Sequence, residues 1–180
     1  PLSQIREQMC EAWDYGVQRL WIVNVGDVKF HEVPLQYFMD LAYDFDRWSN
    51  EPPEGNGGYA GHLIRRNFPE ELPEMRRDLQ KEMEEVLTGY LHLAALRRPE
   101  SLCAGVYHAS HDREGDRMLA LTGELEEKNQ KILRELSVKG EEEGSVFAGY
   151  YSMIGWPAGA LCNLVRLYLC EGKNHRYARQ

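Results

Sequence analysis

A short apolar run, residues 20–26 (LWIVNVG), constrains the fold of this chain more than any other stretch. Its β-branched residues are typical of a strand, and apolar side chains on both faces are typical of a strand that is covered on both sides, as in parallel sheets. The backbone of a buried strand must be paired with neighbouring strands. The rest of the sequence offers no such neighbours, so we expect them to lie outside this chain, unless the run is a buried helix instead.

Elsewhere the apolar residues recur with helical spacing, which predicts about five helices. The predicted helices cover residues 2–14, 34–45, 70–97, 115–137 and 145–171. Ser3 is a plausible cap of the first helix, and Gly172 of the last, while Gly155 and Pro157 predict a kink. Residues 49–61 have the composition of a loop, and a short strand near 103–108 would not build a sheet.

The predicted fold class is therefore mainly α, a helical bundle preceded by one helix and one buried strand. A helix, a short turn and a buried strand are the repeating unit of α/β folds, which suggests the last unit of a β/α barrel. We assign residues 1–32 to that barrel unit and residues 33–180 to the helical bundle domain. Pro1 replaces an initiator methionine, and no signal peptide is apparent, so we expect the chain to be excised from a longer protein.

The bulk composition excludes several classes of protein. A net charge of −8 over 180 residues disfavours binding to nucleic acid. The sequence contains no run of eighteen apolar residues, so no membrane span is predicted. The four cysteines show no metal-ligand spacing, and free thiols would fit a reducing compartment such as the cytoplasm. His108, His111 and Asp112 lack zinc-site spacing and are interpreted as a surface loop, so we predict no metal and no cofactor.

A row of polar side chains follows the predicted strand: Asn24, Asp27, Lys29 and Glu32. At the end of a barrel strand these residues would lie on the face where β/α barrels have their active sites. The simpler alternative is that Asn24 and Asp27 satisfy turn and helix-end groups, with Asp27 or His31 opening the next helix.

Residues 19–48 (RLWIVNVGDVKFHEVPLQYFMDLAYDFDRW) resemble the end of the catalytic barrel of glycoside hydrolase family 115, the xylan α-glucuronidases. The segments RRPESL (97–102) and LYLCEGKNHRYARQ (167–180) resemble parts of the helical domain of that family. Two positions depart from the family pattern, because Phe30 stands where a proline is usual and Tyr43 where a tryptophan is expected. These departures suggest a distant member whose substrate could differ.

The resemblance implies a fragment of a multidomain enzyme that removes glucuronic acid or 4-O-methylglucuronic acid from xylan by inverting hydrolysis. Its substrate would be glucuronoxylan or an aldouronic acid, and the bundle would allow a homo-oligomer. Inversion needs two carboxyl groups set apart to admit a water, and the resemblance places them on earlier strands, outside this chain. Here Asn24 would bind a sugar hydroxyl, and Asp27, Lys29 and Glu32 would hold the pocket or contact the uronate. The competing hypothesis is an all-helical binding or scaffold protein without activity.

Overall fold

The computed structural model describes residues 1–53, 58–72, 75–107, 112–137 and 146–178. Within these ranges the regular structure is helical and no strand is formed. The α-helices are α1 (Leu2–Asp14), α2 (Glu32–Tyr43), α3 (Phe45–Trp48), α4 (Tyr59–Asn67), α5 (Arg77–Leu96), α6 (Asp112–Ser137), α7 (Val146–Tyr150) and α8 (Trp156–Tyr177). A 3₁₀ turn covers Pro99–Ser101, and a π-helix, Tyr151–Gly155, joins α7 to α8.

Helix α5 forms the centre of the molecule, since it packs against α4, α6 and α8. Its inward side chains, Leu79, Met83, Val86 and Leu87, are fully buried. Their spacing by three and four residues places them on one side of the helix, as the sequence pattern predicts. The pair α6 and α8 packs across the same core, whereas α1 and α2 pack together at its edge.

The predicted interruption near Gly155 and Pro157 is confirmed, and it takes the form of the π-helix. Proline has no backbone N–H and its ring clashes with the carbonyl four residues earlier in a regular α-helix. A π-turn changes that register, because the N–H of Trp156 donates to the carbonyl of Tyr151. The buried side chain of Asn129 satisfies the backbone there, with its Nδ2 donating to the Gly155 carbonyl at 2.7 Å.

The prediction of a buried strand at residues 20–26 is wrong for this structure. These residues have no regular structure, and Leu20 and Ile22 are 70% and 84% exposed. The described parts of the chain contain no second strand with which their backbone could pair, so the unit of a β/α barrel is not formed. Residues 103–107 also form no strand, and His108 lies outside the described residues.

Helix boundaries differ from the sequence predictions in several places. Helix α4 occupies a stretch that was in part predicted to be a loop, and α5 begins at Arg77 rather than near residue 70. Ser3 lies inside α1 instead of capping it, since the cap position is Pro1.

Gly172 does not end α8, as was predicted, but lies inside it. A Cβ atom at this position would be 2.5 Å from the backbone oxygen of Tyr107. No side chain tolerates so short a contact with backbone, so the glycine allows α8 to pass directly against the loop before α6. A glycine is required at this position because of close packing and not because the helix ends there.

One helical run, Val146–His175, is long and apolar enough to cross a membrane by length and composition, with a mean hydropathy of 1.2. The prediction of no membrane span, which rested on the absence of eighteen consecutive apolar residues, is therefore not confirmed. In the structure 44% of its most apolar window is buried inside the protein, where α8 packs against α6. A core helix passes the same test, so the run is weak evidence for a membrane span.

Candidate functional site

A cleft of about 690 Å³ lies between α1, α2, the end of α5 and the backbone of residues 23–26. Its walls are mostly apolar, which is usual for a small-molecule site that has a few placed polar groups. The polar or titratable side chains on its lining are Gln4, Gln8, Asn24, His31, Tyr90 and Glu100. Burial raises the pKa of Tyr90 above its ordinary value, so this hydroxyl is a hydrogen-bond donor at neutral pH.

An aromatic cluster fixes the start of the segment that forms one wall of this cleft. Trp21 makes an edge contact with Trp13, at 6.3 Å between ring centroids, and its Nε1 donates to the Val17 carbonyl at 2.6 Å. Phe45 stacks on Trp13 at 4.0 Å and also contacts Trp21. These rings hold the segment against α1 and α3 even though the residues that follow Trp21 are exposed.

The polar row forms two groups that are close in sequence but differ in position. Asn24 lines the cleft, whereas Asp27, Lys29 and Glu32 do not. Lys29 lies 3.6 Å from Glu32, and the side chain of Lys29 is 74% exposed. An ion pair so open to water contributes little to stability.

The alternative interpretation of the row, as helix-end residues, is correct in part. His31 occupies the N-cap position of α2, although its side chain does not cap the helix. Its ring Nδ1 lies 2.9 Å from the backbone oxygen of Asp27 and donates to it in the Nδ1–H tautomer. Asp27 therefore contributes its backbone carbonyl to the turn.

Glu32 has one carboxylate oxygen in an unusual environment. Its Oε2 is buried and has no hydrogen-bond partner among the described residues. Buried acceptors are nearly always satisfied in native proteins, so an unsatisfied one indicates strain, an ordered water or a binding role. Sequence analysis selected Glu32 only by its place in the row.

Phe30 adopts a left-handed backbone, with φ of +64°, in the turn between Lys29 and His31. Its ring stacks on Trp156, at the start of α8, at 4.2 Å between centroids. Proline, which is usual here in the family that the sequence resembles, cannot adopt this φ. Sequence analysis missed the partner ring, because a stacking contact over 126 positions leaves no local pattern.

A second polar cluster has a structural role. Asp40 accepts hydrogen bonds from Tyr59 and Arg66, each at 2.8 Å, and so joins α2 to α4. Burial, together with the bond to Asp40, raises the pKa of Tyr59 far above its ordinary value. Tyr59 also packs edge to face against Trp48 and Tyr37, which places it in the core.

No group of three potential metal ligands occurs among the residues that the structure describes. This finding does not test the interpretation of His108, His111 and Asp112 as a surface loop without a metal. His108 and His111 lie outside the described residues, and nothing is described of the Asp112 side chain.

Comparison with known proteins gives one family match. The model of glycosyl hydrolase family 115 matches residues 1–101, from α1 through the 3₁₀ turn after α5. The matched region contains the whole cleft and the whole polar row. A search of curated proteins finds no match. Because the matched residues make up more than half of the 180 in this sequence, the chain belongs to glycosyl hydrolase family 115.

Proposed function

We propose that this chain is part of a glycoside hydrolase that removes glucuronic acid or 4-O-methylglucuronic acid side chains from xylan by inverting hydrolysis. The observation that supports this best is the family match, because residues 1–101 include every residue of the polar row and every residue that lines the cleft. The substrates of this enzyme would be glucuronoxylan and the aldouronic acids that derive from it.

We further propose that residues 1–32 complete a β/α barrel in the whole enzyme and that residues 33–180 are its helical domain. The exposed apolar side chains between Leu20 and Val28 support this, since they lack a covering surface in the chain alone. Strands of a preceding barrel would pair their backbone and bury both faces. Asn24 to Glu32 would then follow the strand end, where barrels have their active sites.

In this arrangement the amide of Asn24 binds a sugar hydroxyl from the wall of the cleft. The ammonium group of Lys29 is exposed and so can reach the carboxylate of the uronic acid. Glu32, which pairs with Lys29 through its Oε1, holds that lysine in place, and Asp27 holds the turn through its backbone. Inversion needs two carboxyl groups on opposite faces of the sugar. The resemblance to family 115 implies that the general acid and base lie on earlier strands of the barrel, outside this chain.

Replacement of Asn24 by alanine in the whole enzyme tests the site assignment. We expect the rate of uronic acid release from an aldouronic acid to fall at least about tenfold, the loss of one hydrogen bond worth ~1.4 kcal/mol. Asn50→Ala is the matched control, because Asn50 is exposed, does not line the cleft and donates to the Asp46 carbonyl of α3. Unchanged turnover in Asn24→Ala would overturn the assignment.

The stereochemistry of the product tests the mechanism separately. Proton NMR during the first minutes of hydrolysis resolves the anomers of the released uronic acid. An inverting enzyme acting on an α-linked side chain yields the β-anomer first. Initial appearance of the α-anomer would show retention and would contradict the mechanism while leaving the substrate class intact.

The all-helical character of the described residues favours one competing function, a binding or scaffold protein without activity. Both proposals expect a folded helical bundle. Only the hydrolase expects uronic acid to be released, so a whole protein that releases none from either substrate would favour the scaffold.

A further inference from the structure

Two stacked pairs of aromatic rings lie at α7, the π-helix and the start of α8, and Phe30 joins them from the turn before α2. We term these four rings the aromatic row: Phe147, Tyr151, Trp156 and Phe30. Phe147 and Tyr151 stack at 5.9 Å between centroids, and Trp156 and Phe30 stack at 4.2 Å. Tyr151, Trp156 and Phe30 are 41%, 43% and 40% exposed. Large aromatic rings are costly to leave in water, and several on one helical face indicate a binding surface.

The π-helix sets the alignment of these rings. The hydrogen bond from the N–H of Trp156 to the carbonyl of Tyr151 places these two residues about one turn apart. In a regular α-helix Gly155 would lie one turn after Tyr151. Trp156 would then lie about 100° further around the helix axis than Gly155. The π-turn therefore places Trp156 closer to the side of the helix that carries Tyr151 than an α-helix would, and π-turns occur often at functional sites.

Buried contacts hold this π-turn in place from the inside. Asn129, which is 1% exposed, donates to the Gly155 carbonyl and accepts from the hydroxyl of Tyr150 at 2.9 Å. Both ends of its amide are thus bound to the segment that aligns the rings. A buried polar network of this kind specifies one arrangement of the core.

Phe30 is held against Trp156 in spite of an unfavourable backbone. A non-glycine residue in the left-handed region costs on the order of 1 kcal/mol or more, and such residues cluster at ligand sites. Phe30 also directly follows Lys29, so the aromatic row continues from the polar row proposed to bind the uronic acid. In the family that the sequence resembles, a proline is usual at position 30, so the ring of Phe30 distinguishes this chain from that pattern.

We propose that the aromatic row binds the xylopyranose rings of the xylan main chain. This rests on the proposed function, and it adds a second contact surface beyond the sugar that is cleaved. A pyranose ring presents flat faces of C–H groups that pack on aromatic rings, and its hydroxyls stay in water at the edge. Lys29, exposed and next to Phe30, complements the negative charge of the side chain that the main chain carries.

The experiment compares a long and a short substrate in the whole enzyme. Trp156→Ala and Tyr151→Ala should each raise KM for polymeric glucuronoxylan several-fold. Both should leave kcat and KM nearly unchanged for the smallest aldouronic acid, which carries too little of the main chain to occupy the row. Tyr177→Ala is the control, because Tyr177 is exposed at the far end of α8 and should change neither. Trp156→Phe, which keeps a ring, should restore most of the affinity for the polymer.

Retardation of the protein in a native gel that contains unsubstituted xylan provides a readout without catalysis. We expect the wild type to be retarded and Trp156→Ala to migrate freely. Equal losses on long and short substrates, or normal retardation of both alanine variants, would overturn the proposal. A shift of Trp156→Ala to a smaller assembly with unaltered retardation would assign the row to a protein contact instead. An inactive wild type that is still retarded would refute the proposed hydrolysis and not the row.

Discussion

The segment of residues 17–31, here called the exposed segment, and the helical core of α5, α6 and α8 contain similar apolar residues in opposite environments. Leu20 and Ile22 are largely exposed, whereas Leu87 and Ile132 in the helical core are completely buried. The difference does not come from hydrophobicity. It comes from how each backbone satisfies its hydrogen bonds.

A helix pairs its backbone within itself, so an apolar stripe is sufficient to bring it into a core. An extended apolar segment has its donors and acceptors to the side and needs neighbouring strands before it can be buried. The helical core is thus complete in this chain, while the exposed segment is an element whose partners we place in the rest of the enzyme. Matched substitutions in the two regions test this explanation.

The largest contrast is expected between Leu87→Ala and Leu20→Ala, which are the same chemical change in the two regions. Loss of the fully buried Leu87 side chain leaves a cavity and should lower the free energy of unfolding by about 2–5 kcal/mol. Loss of the Leu20 side chain, 70% exposed, should change it by less than about 0.5 kcal/mol. Urea denaturation of both variants measures the difference.

A cost of about 2 kcal/mol or more for Leu20→Ala in this chain would contradict the exposure of the segment, because the segment would then be packed in solution. In the whole enzyme the same substitution should become costly if barrel strands cover the segment.

Gly172→Ala should destabilise the helical core by about 1–3 kcal/mol, the usual cost of overpacking. The new methyl group would meet the Tyr107 carbonyl, and two backbones would have to separate. Gly26→Ala in the exposed segment should be nearly neutral, since a Cβ there has no neighbour within 4 Å. Thermal melts give the ranking. A melting temperature for Gly172→Ala equal to that of the wild type would show that α8 does not contact the loop before α6.

Tyr150→Phe should cost about 1–2 kcal/mol, because it leaves the buried Oδ1 of Asn129 without its donor. Tyr15→Phe is the counterpart beside the exposed segment, at 84% exposure, and should have no measurable effect. Denaturation by urea again measures both. Equal stabilities of the two variants would mean that the Asn129 network does not stabilise the π-turn.

The smallest effect concerns pH and His62, which packs beside Trp48. Burial lowers the pKa of His62 in the folded protein below its ordinary value. As pH falls through the unfolded-state pKa of about 6.5, the unfolded chain takes up this proton first, so stability is lost toward acid. His62→Gln should reduce the loss of stability between pH 7.5 and pH 5.5, and an unchanged loss would exclude His62 as a contributor.

The helices of the core were largely predictable, since Met118, Ile132 and their neighbours follow the helical period that burial requires. Helix α4 was missed because the glycines just before Tyr59 indicated a loop. The interruption at Pro157 was predictable from its missing N–H, but the π-register was not, because it depends on Asn129 from another helix. The apolar run at residues 20–26 was interpreted as a buried strand from its β-branched residues. A strand is buried only where neighbouring strands pair its backbone, and the described residues form none.

The same limits apply to the candidate site. Asn24 was located from its place after an apolar run, and it does line the cleft. The ring of Trp156 beside Phe30 and the unsatisfied oxygen of Glu32 were not visible, because each depends on contacts between distant parts of the sequence.

Hydrogen exchange of the amides of residues 20–26 tests the central claim most directly. It should be measured by mass spectrometry in this chain alone and in the whole enzyme. We predict rapid exchange in the isolated chain and protection of several orders of magnitude in the whole enzyme, where barrel strands pair this backbone. Equally rapid exchange in both would contradict the assignment of residues 20–26 to a buried barrel strand, and strong protection in the chain alone would contradict their exposure.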